Sequence, residues 1–559
     1  MKLPSPRASL RTITDAVAAA AVLRRRGMLD PKRPDELVRT ARNARVYGPF
    51  ATVLAHAVRR RRHAAALVDE RGTLTFDQLD RQSNALARGL RSAGIGPGTV
   101  VAALCRDHRG LVLTLLAAGK LGARVVLMNT GFAKPQLADV ARREGVGAIL
   151  ADVEFTAVLD GIGPATPRIY TWTDAVHPLD PSAVTMDALI AYNSDDALPA
   201  PERAGGTVIL TSGTTGTPKG APRDKVSPWQ SAQFLDRVPV PRDDTMVMAA
   251  PIFHGTGLSQ FTLGWALGNK VVLRRRRFDP RETLAAVAQN RAASLVLVPT
   301  MLQRIVDLGP DVLAQYDTSS LRVIFSAGSP VSPDLAHRTA RAFGDVLYNL
   351  YASTEVAVAA VATPEDMRVA PGTVGRPPVG CRVAIYDEHR RKVTTAGVVG
   401  TIFVASGLSF AGYTDGRNKE IVDGMLSSGD IGHFDVGGRL FIDGRDDDMI
   451  ISGGENVFPL EVENLLAGRA DILEAAVIGV QDRDFGTRLR AFVVPARDAV
   501  LDQEEIKLYV RANLARHKVP RDIVFIDELP RNATGKLVRR ELEGYEIAYE
   551  TRLQMPRAD

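Results

Sequence analysis

"TSGTTGTPKG", residues 211–220, contains three glycines, four threonines, a serine, a proline, a lysine and no apolar side chain. Such a stretch has nothing to bury, and its glycines weaken helix and strand alike. It follows "GGTVIL", residues 205–210, an apolar and β-branched run that reads as a buried strand. A strand therefore delivers a hydroxyl-rich, singly basic loop to the open end of a sheet. Backbone N–H groups in a loop of this kind converge on phosphate oxygens, its hydroxyls add donors, and Lys219 adds a positive charge. The Walker phosphate loop does not fit. Counted from Gly213, its second glycine would fall on Pro218, and Gly220 follows Lys219 where Ser or Thr is required.

Outward from this loop the chain alternates between two periodicities. "LTFDQLDRQSNALARGLRSAG" is an amphipathic helix stopped by Gly94, "GTVVAALC" a strand, "GLVLTLLAAGKLGA" a buried helix and "RVVLMN" a strand. The alternation returns in "KVVL", "ETLAAVAQNRA", "SLVLVP" and "LRVIFSAG". Strands separated by single helices predict an α/β fold with parallel sheets. After Gly400 the texture changes to short strands with turn glycines, and Gly437-Gly438 predicts a tight hairpin. Beyond the charged stretch 444–448, the strands "AAVIGV", "RAFVVP" and "DIVFIDELP" and the helix "QEEIKLYVRANLA" predict a small α+β domain. The expected organisation is an N-terminal extension over 1–47, a large domain of α/β sheets over 48–446, a small domain over 447–545 and a tail over 546–559. In the extension, Leu10, Ile13, Val17 and Ala20/Ala21 recur at helical spacing, which predicts a helix lying on the body or, alternatively, on a membrane surface.

At 559 residues and 45% hydrophobic content the chain exceeds one compact domain. No run approaches the roughly 18 apolar residues of a membrane span, and the charges flanking the Ala-rich N-terminal segment argue against a secretory signal. Two cysteines, Cys105 and Cys381, make neither a disulfide framework nor a metal motif, and a cytoplasmic setting is expected. The net charge of +6 is small for this length, and nucleic acid is not an expected partner. The arginine clusters 24–26, 59–62 and 274–277 read as solvated helix ends and loop edges.

Together with "PIFHGTG" (251–257), "SAGSPV" (326–331), "NLYASTE" (349–355), "SSGD" (427–430), "GRDDDMIISGGENVFPLEVE" (444–463) and "PRNATGKLVRR" (530–540), the opening loop resembles the ordered signature of the adenylate-forming superfamily. The last two motifs are most similar to those of actinobacterial fatty-acyl-CoA synthetases. The resemblance implies ATP-dependent activation of a fatty acid to acyl-AMP and transfer to CoA, with Mg²⁺ as cofactor and ATP and CoA as co-substrates. It implies that Lys536 bridges the carboxylate and the α-phosphate, and that Glu355 and Thr211 hold Mg²⁺. Ser212, Gly213, Thr214, Thr215, Gly216 and Lys219 would cradle phosphate. Gly328, Ser329, Pro330, Tyr351, Ala352, Ser353 and Thr354 would shape the adenine site, with Tyr351 stacked on the base. Asp430, placed at a strand end, and Arg445 would reach the ribose. His254 would line the acyl and pantetheine region. Asp447 would be the hinge of a mobile C-terminal domain, and Ser452, Gly453, Gly454 and Glu455 the loop that CoA approaches. Ala352 stands where glycine is common in the family, and Leu258 where some long-chain members carry an aromatic gate. The alternatives are a fatty acyl-AMP ligase that loads a carrier protein and a non-catalytic nucleotide sensor on the same fold.

Overall fold

The β-branched and apolar runs pair into sheets because their side chains are buried on both faces, the usual condition of parallel strands. The computed structural model describes residues 6–211, 219–222, 228–353, 356–406, 419–445, 450–452, 455–482, 486–497, 499–532 and 536–543. The larger sheet runs in the order Ala357–Ala362, Leu347–Ser353, Val323–Ala327, Ser294–Leu297, Thr245–Met248, Lys270–Val272, Ala65–Asp69 and Gly72–Thr75. Its inner pairings are parallel, and each outermost strand is antiparallel to its neighbour. A second sheet runs Arg168–Trp172, Ala148–Asp152, Val100–Leu104, Arg124–Leu127, Thr207–Thr211 and Lys219–Pro222, parallel until the last pair.

The helices cover these sheets as the periodicity predicts. Phe76–Ser92 starts with a capping box in which Thr75 and Gln78 satisfy each other's backbone N–H groups. Arg109–Leu121 is buried along most of its length and ends at Gly122 in the left-handed conformation.

From Arg382 to Arg445 the chain makes a third sheet that is wholly antiparallel. The expected hairpin is present there. Asp435 N–H donates to the Arg439 carbonyl at 2.9 Å across Gly437-Gly438. Past residue 450, Ile472–Asp482, Gly486–Pro495 and Asp522–Phe525 form a three-stranded sheet. The helices Pro459–Ala467 and Gln503–Asn513 pack on it through Val462, Leu466, Ile506 and Val510.

The N-terminal helix, Pro6–Arg25, lies on Pro228–Arg237. The face it buries is Ala19, Val22 and Leu23, whereas Val17 is 65% exposed. The expected phase therefore fails at Val17 and Ala21, Ala20 is half-buried, and the side chains of Leu10 and Ile13 lie outside the described residues. An Ala-rich run has almost no polarity contrast to set it. Arg26 Nε donates to the Leu235 carbonyl at 2.9 Å and fixes the end of the helix. The described apolar face is thus spent on the body, and the membrane-surface alternative has no support. No described helix is long and apolar enough to cross a membrane. The next helix, Pro34–Arg61, runs through the expected boundary at residue 47 and kinks at Gly48 and Pro49. The arginine clusters pair internally: Arg60 and Arg61 with Asp243, Arg274 with Glu282, and Arg275 with Glu154 and Asp174.

The phase of the N-terminal helix is testable. Val22→Asp puts a charge into its interface and is expected to cost about 2–4 kcal/mol, while Val17→Asp stays within about 0.5 kcal/mol. Thermal denaturation of the full chain reads both. Equal shifts would refute the assignment.

Candidate active site

The opening loop closes a hairpin. Thr211 ends one strand, Lys219 begins the next, and the two are register partners. Lys219 therefore belongs to a strand rather than to the loop. Ser212, Gly213, Thr214, Thr215 and Gly216 lie outside the described residues. So do Thr354, Glu355, Asp447, Gly453 and Gly454.

The clearest cluster surrounds Asp430. Its strand, Met425–Phe434, pairs with Leu440–Arg445 so that Asp430 faces Arg445 in register. Asp430 thus lies inside a strand, not at its end. The Tyr351 hydroxyl donates to Asp430 Oδ2, Arg445 Nη1 stands 3.8 Å from Oδ1, and Asp430 N–H donates to Ser428 Oγ at 3.1 Å. Ser428 in turn donates to the Ile402 carbonyl at 3.1 Å, which puts a hydroxyl to structural use. Burial and the adjacent carboxylate push the Tyr351 phenol well above its ordinary value, so it stays a donor. Gly429 has φ of +80°, and a Cβ there would lie 3.3 Å from Lys419 Nζ and 3.5 Å from Arg445 Nη2. The left-handed backbone is what favours glycine here, and the two cations stand beside it. Lys419 sits outside every quoted motif, and no local spacing announces it.

Across the larger sheet, Gly328 follows Val323–Ala327 with φ of +106°, a turn that favours glycine. Ser329 is half-buried and Pro330 exposed beside it. Ser326 and Asn349 are register partners on neighbouring strands. Ser326 Oγ and Asn349 Oδ1 are buried with no hydrogen-bond partner among the described residues. Asn349 is two residues from Tyr351 on one strand and so shares its side. Sequence reasoning quoted Asn349 but gave it no role; its strand position next to the tyrosine was the available signal. Ala352 packs against the core as a partly buried methyl, and Ser353 Oγ accepts from Val356 N–H at 3.2 Å.

His254 is the N-cap residue of Gly255–Ala266, with extended backbone. Its ring lies 4.3 Å from that of Phe253, and its Nε2 is buried without a partner among the described residues. Burial, with the Lys536 charge as the second cause, lowers its pKa to about 4. Lys536, from the C-terminal part of the chain, is thus near enough for its charge to act on the His254 ring. Asn532 holds the lysine's backbone: Lys536 N–H donates to Asn532 Oδ1 at 3.0 Å, and Asn532 N–H to the Lys536 carbonyl at 2.9 Å.

A second anchor was also missed. Both carboxylate oxygens of Asp107 accept from Ile252 N–H, at 3.1 and 3.3 Å, and fix the segment that carries His254. Burial raises that carboxyl to about 7. Asp107 lies some 145 residues from its partner, so spacing could not reveal it. Ser452 is buried and pairs with Glu455 across a two-residue hairpin tip.

Comparison with known proteins agrees with this geometry. The family model described as AMP-binding enzyme matches residues 54–414, and that of the AMP-binding enzyme C-terminal domain matches 461–536. The chain is 32% identical over 475 residues to the indoleacetate–CoA ligase of Aromatoleum aromaticum, covering 83% of this chain and 91% of the relative. It is 30% identical over 503 residues to ScoC, a fatty acid–[acyl-carrier-protein] ligase of Streptomyces coeruleorubidus, covering 85% and 92%. Among solved structures, the anthranilate CoA ligase AuaEII in complex with anthranoyl-AMP superposes with a TM-score of 0.79 at 24% identity, over 89% of this chain and 97% of that one. This last likeness speaks to fold alone.

His254 gives a pH prediction. Between its ordinary value of 6.5 and about 4, the unfolded chain binds a proton that the folded site refuses. Its contribution to stability is therefore complete above pH 6.5 and is lost as pH falls toward 4. His254→Asn should flatten that part of the profile, read by urea denaturation at pH 7.5 and pH 5. Identical profiles for both proteins would contradict the buried, neutral ring.

Proposed function

Since the chain belongs to the AMP-binding enzyme family, we propose that it is an AMP-forming CoA ligase. It joins a carboxylic acid to the α-phosphate of ATP, releases pyrophosphate, and passes the acyl group to the thiol of CoA with loss of AMP. The observation that carries this reading is a buried, neutral His254 with an unpaired Nε2, within electrostatic range of the Lys536 charge. A carboxylate and an α-phosphate repel each other, and both carry more charge on oxygen as they react. An ammonium placed between them offsets that repulsion where water is excluded. A neutral imidazole adds a hydrogen-bonding edge without a competing charge.

The remaining groups take roles by their chemistry. Tyr351 supplies a ring for the purine, and the Asn349 Oδ1 orphan is an acceptor suited to an exocyclic amine. Asp430 can accept from both ribose hydroxyls, and Arg445 and Lys419 lie where phosphate charge would be neutralised. Among the described residues no three His, Cys, Asp or Glu side chains gather as a metal site. That donor set suits an ion such as Mg²⁺ held by one carboxylate and the nucleotide's phosphates. Glu355 and Thr211 are the residues proposed to hold it. Rotation at Asp447 would then exchange Lys536 for the Ser452–Glu455 hairpin in the thiol step, a gating motion.

For the acid, we favour an aromatic one over the fatty acid implied by the motifs. The relative named for indoleacetate supports this choice. So does the aromatic character of the core face behind His254, where Phe234 meets Phe325 edge-on at 6.3 Å and Phe253 and Phe261 are buried. A second reading, a fatty acid delivered to a carrier protein, is favoured by the resemblance to ScoC.

Pyrophosphate and AMP formation from ATP and Mg²⁺ across aromatic and C2–C18 acids, with and without CoA, tests these readings. Lys536→Ala is expected to lower the adenylation rate by about 10²–10³-fold, by analogy with loss of one oxyanion donor. A full-rate Lys536→Ala enzyme would remove the central role assigned to this residue. Acyl-AMP formation with no acyl-CoA product would favour the carrier-protein reading.

A further inference from the structure

The helix Gly255–Ala266 carries four polar side chains whose hydrogen bonding is informative, and three of them are satisfied. Ser259 Oγ donates to the Thr256 carbonyl at 2.9 Å, Thr262 Oγ1 to the Leu258 carbonyl at 2.7 Å, and Trp265 Nε1 to the Ala66 carbonyl at 3.0 Å. The fourth is Gln260. Its exposure is 0%, and both amide atoms, Oε1 and Nε2, are buried without a partner among the described residues. A buried primary amide with neither atom paired is among the costliest arrangements in a core, and native proteins retain one where something else completes it.

The helix geometry says where that amide lies. Gly264, one turn further on and on the same face, sits against the sheet: a Cβ there would be 3.0 Å from Met246 Sδ and 3.6 Å from Val271 Cγ2. Gln260 is thus on the sheet-facing side, one turn closer to His254. Helical side chains tilt toward the helix N-terminus, which here is the end capped by His254. The strand that carries Met246, Thr245–Met248, is hydrogen-bonded on both sides, so its backbone has nothing to offer. The core cluster on this side of the sheet, which includes Met246, Met248, Phe261 and Val296, is apolar. No described group of the protein can complete the amide.

We infer that the acid this enzyme activates bears a hydroxyl group remote from its carboxylate, and that Gln260 is the residue that reads it. A hydroxyl is the smallest group that donates to Oε1 and accepts from Nε2 at once. An aromatic acid with a ring hydroxyl meets both the apolar walls and the single amide. The inference rests on the ligase reading above and narrows it from aromatic acids to hydroxylated ones. Sites built to hydrogen-bond a substrate hydroxyl discriminate against the analogue that lacks it far more strongly than apolar pockets sort by size.

The test uses the full-length enzyme with ATP and Mg²⁺, measuring pyrophosphate release with matched acids. The set comprises phenylacetate, 3-phenylpropanoate and cinnamate, each beside its 2-, 3- and 4-hydroxy derivatives. In the wild type at least one hydroxylated acid should exceed its parent in kcat/KM by about 10–100-fold. Gln260→Met, which keeps length and removes the amide, should erase that advantage while leaving the parent acid within about 3-fold. Gln260→Leu is the second variant, and thermal melting checks both. Each should melt at or above the wild-type temperature, because an unpaired buried amide is gone. An unchanged ranking in the variants would overturn the inference and assign Gln260 to a buried water. So would a best acid with no hydroxyl. Absence of pyrophosphate release from every acid, aromatic or aliphatic, would instead fail the ligase reading itself and take this inference with it.

Discussion

The site depends on keeping one buried carboxylate satisfied. Asp430 sits in the antiparallel sheet, yet its closest donor, the Tyr351 hydroxyl, belongs to the parallel one. An ionised carboxylate in that position requires partners, because burial without them costs several kcal/mol. The chain supplies them from several places: a phenol from Leu347–Ser353, a guanidinium from the paired strand Leu440–Arg445, and a serine hydroxyl two residues earlier that fixes its backbone. The two sheets are thereby locked together at the point where a nucleotide would bind. The sheets also share a core, in which Ala359 and Ala360 pack with Ile385, Ile402 and Leu440. The apolar contact supplies cohesion and the carboxylate fixes register. A purine stacked on Tyr351 and a ribose held by Asp430 would exploit a geometry that folding already requires.

The second constraint is electrostatic and links the middle of the chain to its C-terminal part. His254 is neutral because it is buried, and Lys536 keeps it so. The arrangement is asymmetric: the lysine's backbone is braced by Asn532, while the segment carrying the histidine is fixed by Asp107 through Ile252. One partner caps a helix of the large domain, and the other adjoins Leu537, which packs on a core of the small domain. Chemistry that needs a cation for one step and open access for the next is well served by that division.

Much of the fold was legible because it is written in local patterns. The runs at 100–104, 124–127, 294–297 and 323–327 are strands for the reason the sequence suggests: they are mostly apolar and buried on both faces, with Arg124, Ser294 and Ser326 the exceptions in composition. The N-terminal helix was legible as a helix but not in phase, since alanines alone do not say which side faces in. Motif residues such as Asp430, Tyr351, Gly328 and His254 could be named from order and spacing. Their partners could not. Asp107, Lys419 and the Ser326–Asn349 pair matter through contacts made between distant segments or across parallel strands, where sequence separation carries no signal. The hydrogen bond between Tyr351 and Asp430 was equally hidden, although both residues had been singled out separately.

The buried atoms left unpaired near the carboxyl ends of the larger sheet carry the remaining information. Ser326 Oγ and Asn349 Oδ1 lie on one side of that sheet, with the alternate residues Ile324 and Leu347 in the same core. His254 Nε2 and Gln260 lie on the other side, with Leu258 and Phe261. A fold that satisfied every one of them would be more stable. Each unpaired group costs about 1–3 kcal/mol, and together they are a sizeable share of the 5–15 kcal/mol that separates folded from unfolded domains. Their placement on both faces of one sheet suits the proposed two-part ligand: a nucleotide met by the Asn349 side and an acid met by the Gln260 side. The carboxylate and α-phosphate would then join where the two faces meet under Lys536, so the stability forgone in the empty protein becomes selectivity for what fills it.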